Sequence, residues 1–98
     1  MFIKIHKAYR QVVAVCDSDI IGKVFEEGKA QLNIRDNFYR GDERNFQETI
    51  EIIQDLAKED ATFNIVGKEA VKCALEAGII AEEGIKTVQG IPVALVLL

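Results

Sequence analysis

Apolar and polar residues alternate through FIKIHKA, Phe2 to Ala8, setting Ile3 and Ile5 on one side and Lys4 and His6 on the other. That two-residue period predicts a strand with one buried face. QVVAVC follows within a few residues as a near-continuous β-branched run, which predicts a more central strand paired with the first in a hairpin. The acids after it lead to Ile20, Ile21, Val24 and Phe25, spaced as the stripe of a short helix that Gly28 would close as a C-cap. AQLNIRD alternates again and predicts a third strand, and NFYRGDER reads as the main loop.

The clearest helical pattern is NFQETIEIIQDLAKED, where Phe46, Ile50, Ile53 and Leu56 or Ala57 form one stripe. Asn45 with Glu48 three residues on predicts a capping box. TFNIV predicts a short strand, and KEAVKCALEAG a helix with Ala70, Val71, Ala74 and Leu75 inward and Gly78 at its C-cap. The closing IKTVQGIPVALVLL reads as one strand or two, bent or bulged between Gly90 and Pro92 because proline offers no ladder donor. The expected architecture is therefore α+β over residues 1–98 as one domain. It has a single sheet of about five or six strands that starts with an N-terminal hairpin, and three helices.

Composition narrows the function classes. The chain has 98 residues, 49% hydrophobic and 29% charged, the balance of an ordinary globular protein. Its longest apolar run, VALVLL, is far short of the roughly 20 residues a membrane span needs, so it is expected to be a core strand. The N-terminus lacks the apolar stretch of a secretion signal, and the expected location is cytoplasmic, with no membrane partner. Two cysteines and one histidine are too few for a disulfide framework or a zinc site, so no metal and no cofactor is expected. The net charge of −4 is unevenly spread: residues 1–41 hold seven Lys and Arg against five acids, and residues 42–98 hold five against eleven. The first half is the side suited to a polyanion.

Several stretches invite chemistry. Cys16 stands where a strand gives way to an expected helix start, a position that favours a thiolate. Asp17 and Asp19 beside it oppose ionisation, and His6 is the only available base. If the hairpin brings His6 near residue 14, the two form a weak catalytic pair; otherwise Cys16 is a small buried residue. Asp17, Ser18 or Asp19 is expected to cap the following helix rather than hold a metal. Arg35, Tyr39 and Arg40 surround Phe38 in the loop, a mixture of rings and cations that suits single-stranded RNA. The plainer expectation has Phe38 turned inward and Tyr39 partly exposed. Lys4, His6, Lys7 and Arg10 crowd the first hairpin, as a solvated edge or a patch for a partner. NIVGKEAVK sets a strand, a glycine and a helix in order, so Asn64, Gly67, Lys68 and Lys72 are anion-site candidates, though one glycine makes only a weak nucleotide motif.

The ordered set VAVCDSDIIGKVFEEG, FYRG, NIVGKEAV and GIP is similar to a family of short archaeal proteins, domain of unknown function 424. The resemblance implies an α+β cytoplasmic protein with no assigned activity, and a gene setting near translation components. It supplies no catalytic residues. The family's pattern has a histidine after its GxP, where this chain has Val93, which counts against an enzymatic role. The resulting expectation is a non-enzymatic module that touches RNA or a ribosome-associated protein, with no DNA partner, as a monomer or homodimer. The alternative is a small enzyme or anionic-ligand sensor using Cys16 or the Gly67–Lys68 helix start.

Overall fold

The computed structural model describes residues 1–97; Leu98, the last residue of VALVLL, lies outside them. The described residues form eight strands and three α-helices. The strands are β1 (Phe2–His6), β2 (Val12–Cys16), β3 (Val24–Glu27), β4 (Ala30–Asn33), β5 (Asp42–Glu43), β6 (Thr62–Val66), β7 (Lys86–Val88) and β8 (Ile91–Val96). The helices are α1 (Asp36–Tyr39), α2 (Phe46–Ala57) and α3 (Lys68–Ala77). Six strands make one mixed sheet in the order β5-β1-β2-β6-β8-β7, and β3 and β4 form a separate ribbon. The architecture is α+β as expected, with a second small sheet in addition to the first.

β1 and β2 pair antiparallel from Phe2 opposite Cys16 to His6 opposite Val12. β2 then pairs in parallel with β6, Val12 opposite Thr62 and Cys16 opposite Val66. Cover on both faces of the sheet explains why VVAVC is apolar throughout, with Val13, Ala14, Val15 and Cys16 all fully buried.

One face of the sheet carries Ile3, Val13, Val15, Phe63, Ile65 and Ala94 against α2 and α3. On α2 the expected stripe is inward: Ile50, Ile53 and Leu56 are buried. The capping box forms, with the Glu48 N–H donating to Asn45 Oδ1 at 2.8 Å and the Asn45 N–H donating to Glu48 Oε1 at 3.1 Å. On α3, Ala70, Val71, Cys73 and Ala74 face the sheet, and Gly78 closes the helix at φ +78.

The other face carries Ala14, Cys16 and Val66, covered by Ile20, Ile34 and Tyr39, with Phe25 and Leu32 of the ribbon packed alongside. Here the expectation of a helix after the acids is overturned. Ser18–Ile20 makes a single 3₁₀ turn, and Val24–Glu27 pairs with Ala30–Asn33 as a hairpin. The apolar spacing of Ile20, Ile21, Val24 and Phe25 mimics a helical stripe. In fact Gly28, at φ +59, is the first residue of a two-residue turn and not a helix cap. The expected loop is also ordered: Asp36–Tyr39 closes one helical turn, followed by the two-residue strand β5 on the edge beside β1.

The C-terminal segment is two strands joined by a Gln89–Gly90 turn, not one bent strand. Pro92 sits inside β8, where its carbonyl accepts from the Gly67 N–H at 2.9 Å. Only part of VALVLL is core, because its alternate residues face opposite sides of the sheet. Ala94 is buried, whereas Leu95 and Leu97 are 60% and 79% exposed.

Candidate functional site

Cys16 ends β2 with its side chain fully buried among Ala14, Ile20, Ile34, Tyr39 and Val66. Burial, then the charges of Asp17 and Asp19, pushes the thiol up to about 12, and Sγ donates to the Asp17 carbonyl at 3.2 Å. His6 lies opposite Val12, not residue 14, at the far end of the same strand pair. Four residue steps along a strand separate it from Cys16 by about 13 Å, so the two do not form a nucleophile and base. Cys73 is also buried and also pushed up to about 12, first by burial and then by Glu69 and Glu76. Among the described residues no group of three or more His, Cys, Asp or Glu is placed to hold a metal ion.

The acids after Cys16 do act as a cap, though not for the local turn. Asp17 reaches α3, where Oδ2 accepts from the Glu69 N–H at 3.1 Å and Oδ1 from the Ala70 N–H at 2.8 Å. Gly67, the residue before α3, has no side chain to do this, and a Cβ there would overlap the Asp17 carboxyl group. The glycine is there to admit a carboxylate from the neighbouring strand. At the helix start where Asn64, Gly67, Lys68 and Lys72 are the anion-site candidates, the N–H groups of Glu69 and Ala70 are taken by the chain's own carboxylate. Asn64 points to the opposite face of the sheet, since its neighbours Phe63 and Ile65 are both in the core beneath α2 and α3. Lys72 lies over the Phe46 ring at 5.7 Å, and Lys68 is exposed.

The basic and aromatic residues of the first half divide into two groups. The first holds α1 against the hairpin. Lys4 Nζ donates to the Asn37 carbonyl at 2.7 Å, and His6 Nε2 donates to the Phe38 carbonyl at 2.8 Å. The His6 ring stacks on Phe38 with centroids 4.5 Å apart. Arg40 Nε donates to both carboxylate oxygens of Asp36 at 2.8 Å, holding that carboxyl below its usual range, and its guanidinium lies 5.2 Å from the Phe2 ring centroid. Tyr39 is the inward residue and Phe38 the half-exposed one, the reverse of the expected arrangement. Burial, followed by the nearby Cys16, pushes the Tyr39 hydroxyl up to about 12. Tyr39 is thus a core residue and presents no ring for a base to stack on.

The second group stays at the surface. Lys7 and Arg10 are exposed in the turn between β1 and β2, and Arg35 is exposed ahead of α1. Between Lys7 and Arg10 stands Tyr9, which is fully exposed. It escaped the sequence reading, although KAYR in a turn between two strands carries the signal: nothing local gives that ring a place to pack. Tyr9, Arg10 and Gln11 line an open depression of about 580 Å³ whose other wall is Glu59 and Asp60.

Beside this turn the sheet's second face is only half covered. The ribbon and α1 hide Ala14, Cys16 and Val66, while Val12, Thr62 and Asn64 are half-buried and Leu95 is well exposed. No helix among the described residues is long and apolar enough to cross a membrane.

No curated protein matches this chain. A crystal structure of an uncharacterized conserved protein from Methanopyrus kandleri is similar over 98% of this chain and 90% of that one, with a TM-score of 0.85 and 24% identity. At that identity the likeness shows the fold. The model of the family described as "Protein of unknown function (DUF424)" matches residues 6–98, and the chain belongs to that family.

Proposed function

We propose that this protein is a non-enzymatic recognition module of the translation apparatus, and that its ligand is RNA. The observation that carries the reading is the turn between β1 and β2, where a fully exposed Tyr9 stands between the exposed cations Lys7 and Arg10. A ring held in solvent loses apolar burial without return, and stacking a base on it recovers that loss while neighbouring cations meet phosphates. The half-exposed Phe38, stacked on His6, adds a second ring on the same end of the sheet. A catalytic role has weaker support, because the buried thiol of Cys16 has no base in reach.

The test is co-sedimentation of the protein with ribosomes, and fluorescence anisotropy with a labelled mixed-sequence RNA, over a series of salt concentrations. Binding should weaken steeply with ionic strength, each phosphate contact adding about 0.7 to the slope on a single strand. Tyr9→Ala should weaken it without changing the slope, and Lys7→Glu should flatten the slope. Failure to bind RNA or ribosomes at low salt would eliminate the reading. Capture of a ribosomal protein that survives nuclease and high salt would replace RNA with a protein ligand.

A further inference from the structure

Strand alternation fixes which residues share the sheet's second face. They are Phe2, Lys4 and His6 from β1, Glu43 from β5, Val12 from β2, Thr62 and Asn64 from β6, Ile91, Val93 and Leu95 from β8 and Lys86 and Val88 from β7, beside the covered Ala14, Cys16 and Val66. The acidic member of this face, Glu43, stands at the β5 edge, where Oε2 accepts from Ser18 Oγ at 3.1 Å, and none of the residues that β2, β6, β8 and β7 give to this face is acidic, in a chain with 16 Asp and Glu and a net charge of −4. The register aligns Lys4, Ala14, Asn64 and Leu95 in one row across four strands, and His6, Val12 and Thr62 in the next. α1 stands over the β1 and β2 end of the first row through Tyr39 and Phe38, and the β3–β4 ribbon closes the Cys16 and Val66 end. What remains is a shelf with two walls, floored by Val12, Thr62, Asn64 and Leu95, with Lys86 on its far rim and the Tyr9 turn at its open end.

A shelf with an aliphatic floor, one amide, one hydroxyl and cations only at its margins suits the flat faces of unpaired bases, with their phosphates directed to the rim. Neighbouring strands lie about 4.8 Å apart, so the three strands of the floor span about 10 Å, room for one or two bases and too narrow for a duplex about twice that width. The amide of Asn64 offers a donor and an acceptor to a base edge. We infer that this shelf is the seat of one or two unpaired RNA nucleotides, the strand continuing onto Tyr9, and that the protein therefore selects single-stranded over double-stranded RNA. The inference rests on the RNA reading above and adds the form of the ligand and a second contact surface, adjoining the turn that carries that reading but made of other residues.

The test compares a labelled mixed-sequence single-stranded RNA with the same strand annealed to its complement, for the parent protein and for Leu95→Glu. Leu95 is 60% exposed, so the substitution should leave the thermal midpoint unchanged, which circular dichroism verifies. The parent should prefer the single strand, and Leu95→Glu should lower affinity for it at least tenfold while the Lys7 and Tyr9 turn is intact. Thr62→Glu, on the same floor, is the second variant should Leu95→Glu alter folding. Equal binding of duplex and single strand, or unchanged single-strand binding by both folded variants, would overturn the shelf and leave the RNA reading standing. A face used by an acidic protein would give that second result. Loss of all RNA binding by the parent would remove both readings.

Discussion

Asp17→Ala tests a side chain that joins the end of β2 to the start of α3. The parent carboxylate satisfies the N–H groups of Glu69 and Ala70, the second and third residues of the helix, in place of a capping side chain that Gly67 lacks. Losing an N-cap costs about 1 kcal/mol, and losing an anion at the positive end of a helix dipole adds about 0.3–1 kcal/mol. The first turn of α3 also presents Ala70 and Val71 to the core, so fraying there exposes apolar surface, and a total of about 2 kcal/mol is expected. For a domain of this size 1 kcal/mol moves the melting midpoint by about 4–8 °C, giving a fall of about 8–16 °C. Asp17→Asn keeps one acceptor but turns an amide donor toward the other N–H, and should fall between the parent and Asp17→Ala. Asp19→Ala, at an exposed neighbour, should stay within about 0.5 kcal/mol of the parent. Urea and thermal unfolding followed by circular dichroism provide both numbers. An Asp17→Ala midpoint within about 2 °C of the parent, or an equal loss from Asp19→Ala, would refute the cross-strand cap.

Both thiols should resist iodoacetamide in the native protein at pH 8.5 and react once urea unfolds it, read by intact mass; one rapid native alkylation at Cys16 would contradict its burial. Stability should also fall at alkaline pH. The neutral forms of Cys16, Cys73 and Tyr39 are favoured in the folded state, with folded values near 12 against ordinary values of 9.0 for the thiols and 10.0 for the phenol. Their contribution is complete below about pH 8.5 and is lost as pH rises toward 12, which urea midpoints measured from pH 8 to 11 should follow downward. Gly67→Ala should cost more than Asp17→Ala, at least about 2 kcal/mol by urea denaturation, because its φ of +111 strains any side chain and its Cβ would also expel the capping carboxylate.

How far the sequence discloses this fold depends on the range of the forces at each element. β1, β2, α2, β6 and α3 are legible because their periodicity and caps are local: Asn45 and Glu48 are three residues apart and cap the same helix. Residues 18–33 are misleading for the opposite reason. Ile20, Ile21 and Phe25 find their partners on the distant second face of the sheet while Val24 stays exposed, and the strand pairing of Val24–Glu27 outweighs a helical spacing of only four apolar residues. The orientation of Phe38 and Tyr39 is likewise set by His6 and Cys16, more than 20 residues earlier in the chain. Asp17 is recognisable as a capping residue, but its helix begins some 50 residues later. The same distance hides what occupies the Gly67 turn, since the carboxylate at that helix start is remote in sequence.

The parallel pairing of β2 with β6 imposes an order on biosynthesis. Val12 acquires its partner Thr62 only after α2 and the ribbon have been made, so a nascent chain carries β2 with an unpaired, strongly apolar edge through much of its synthesis. β6 in turn lacks its outer neighbour until Val93 to Val96 leave the ribosome. Stalled or C-terminally nicked products of this gene should therefore be clients for chaperones or proteases rather than partly working fragments.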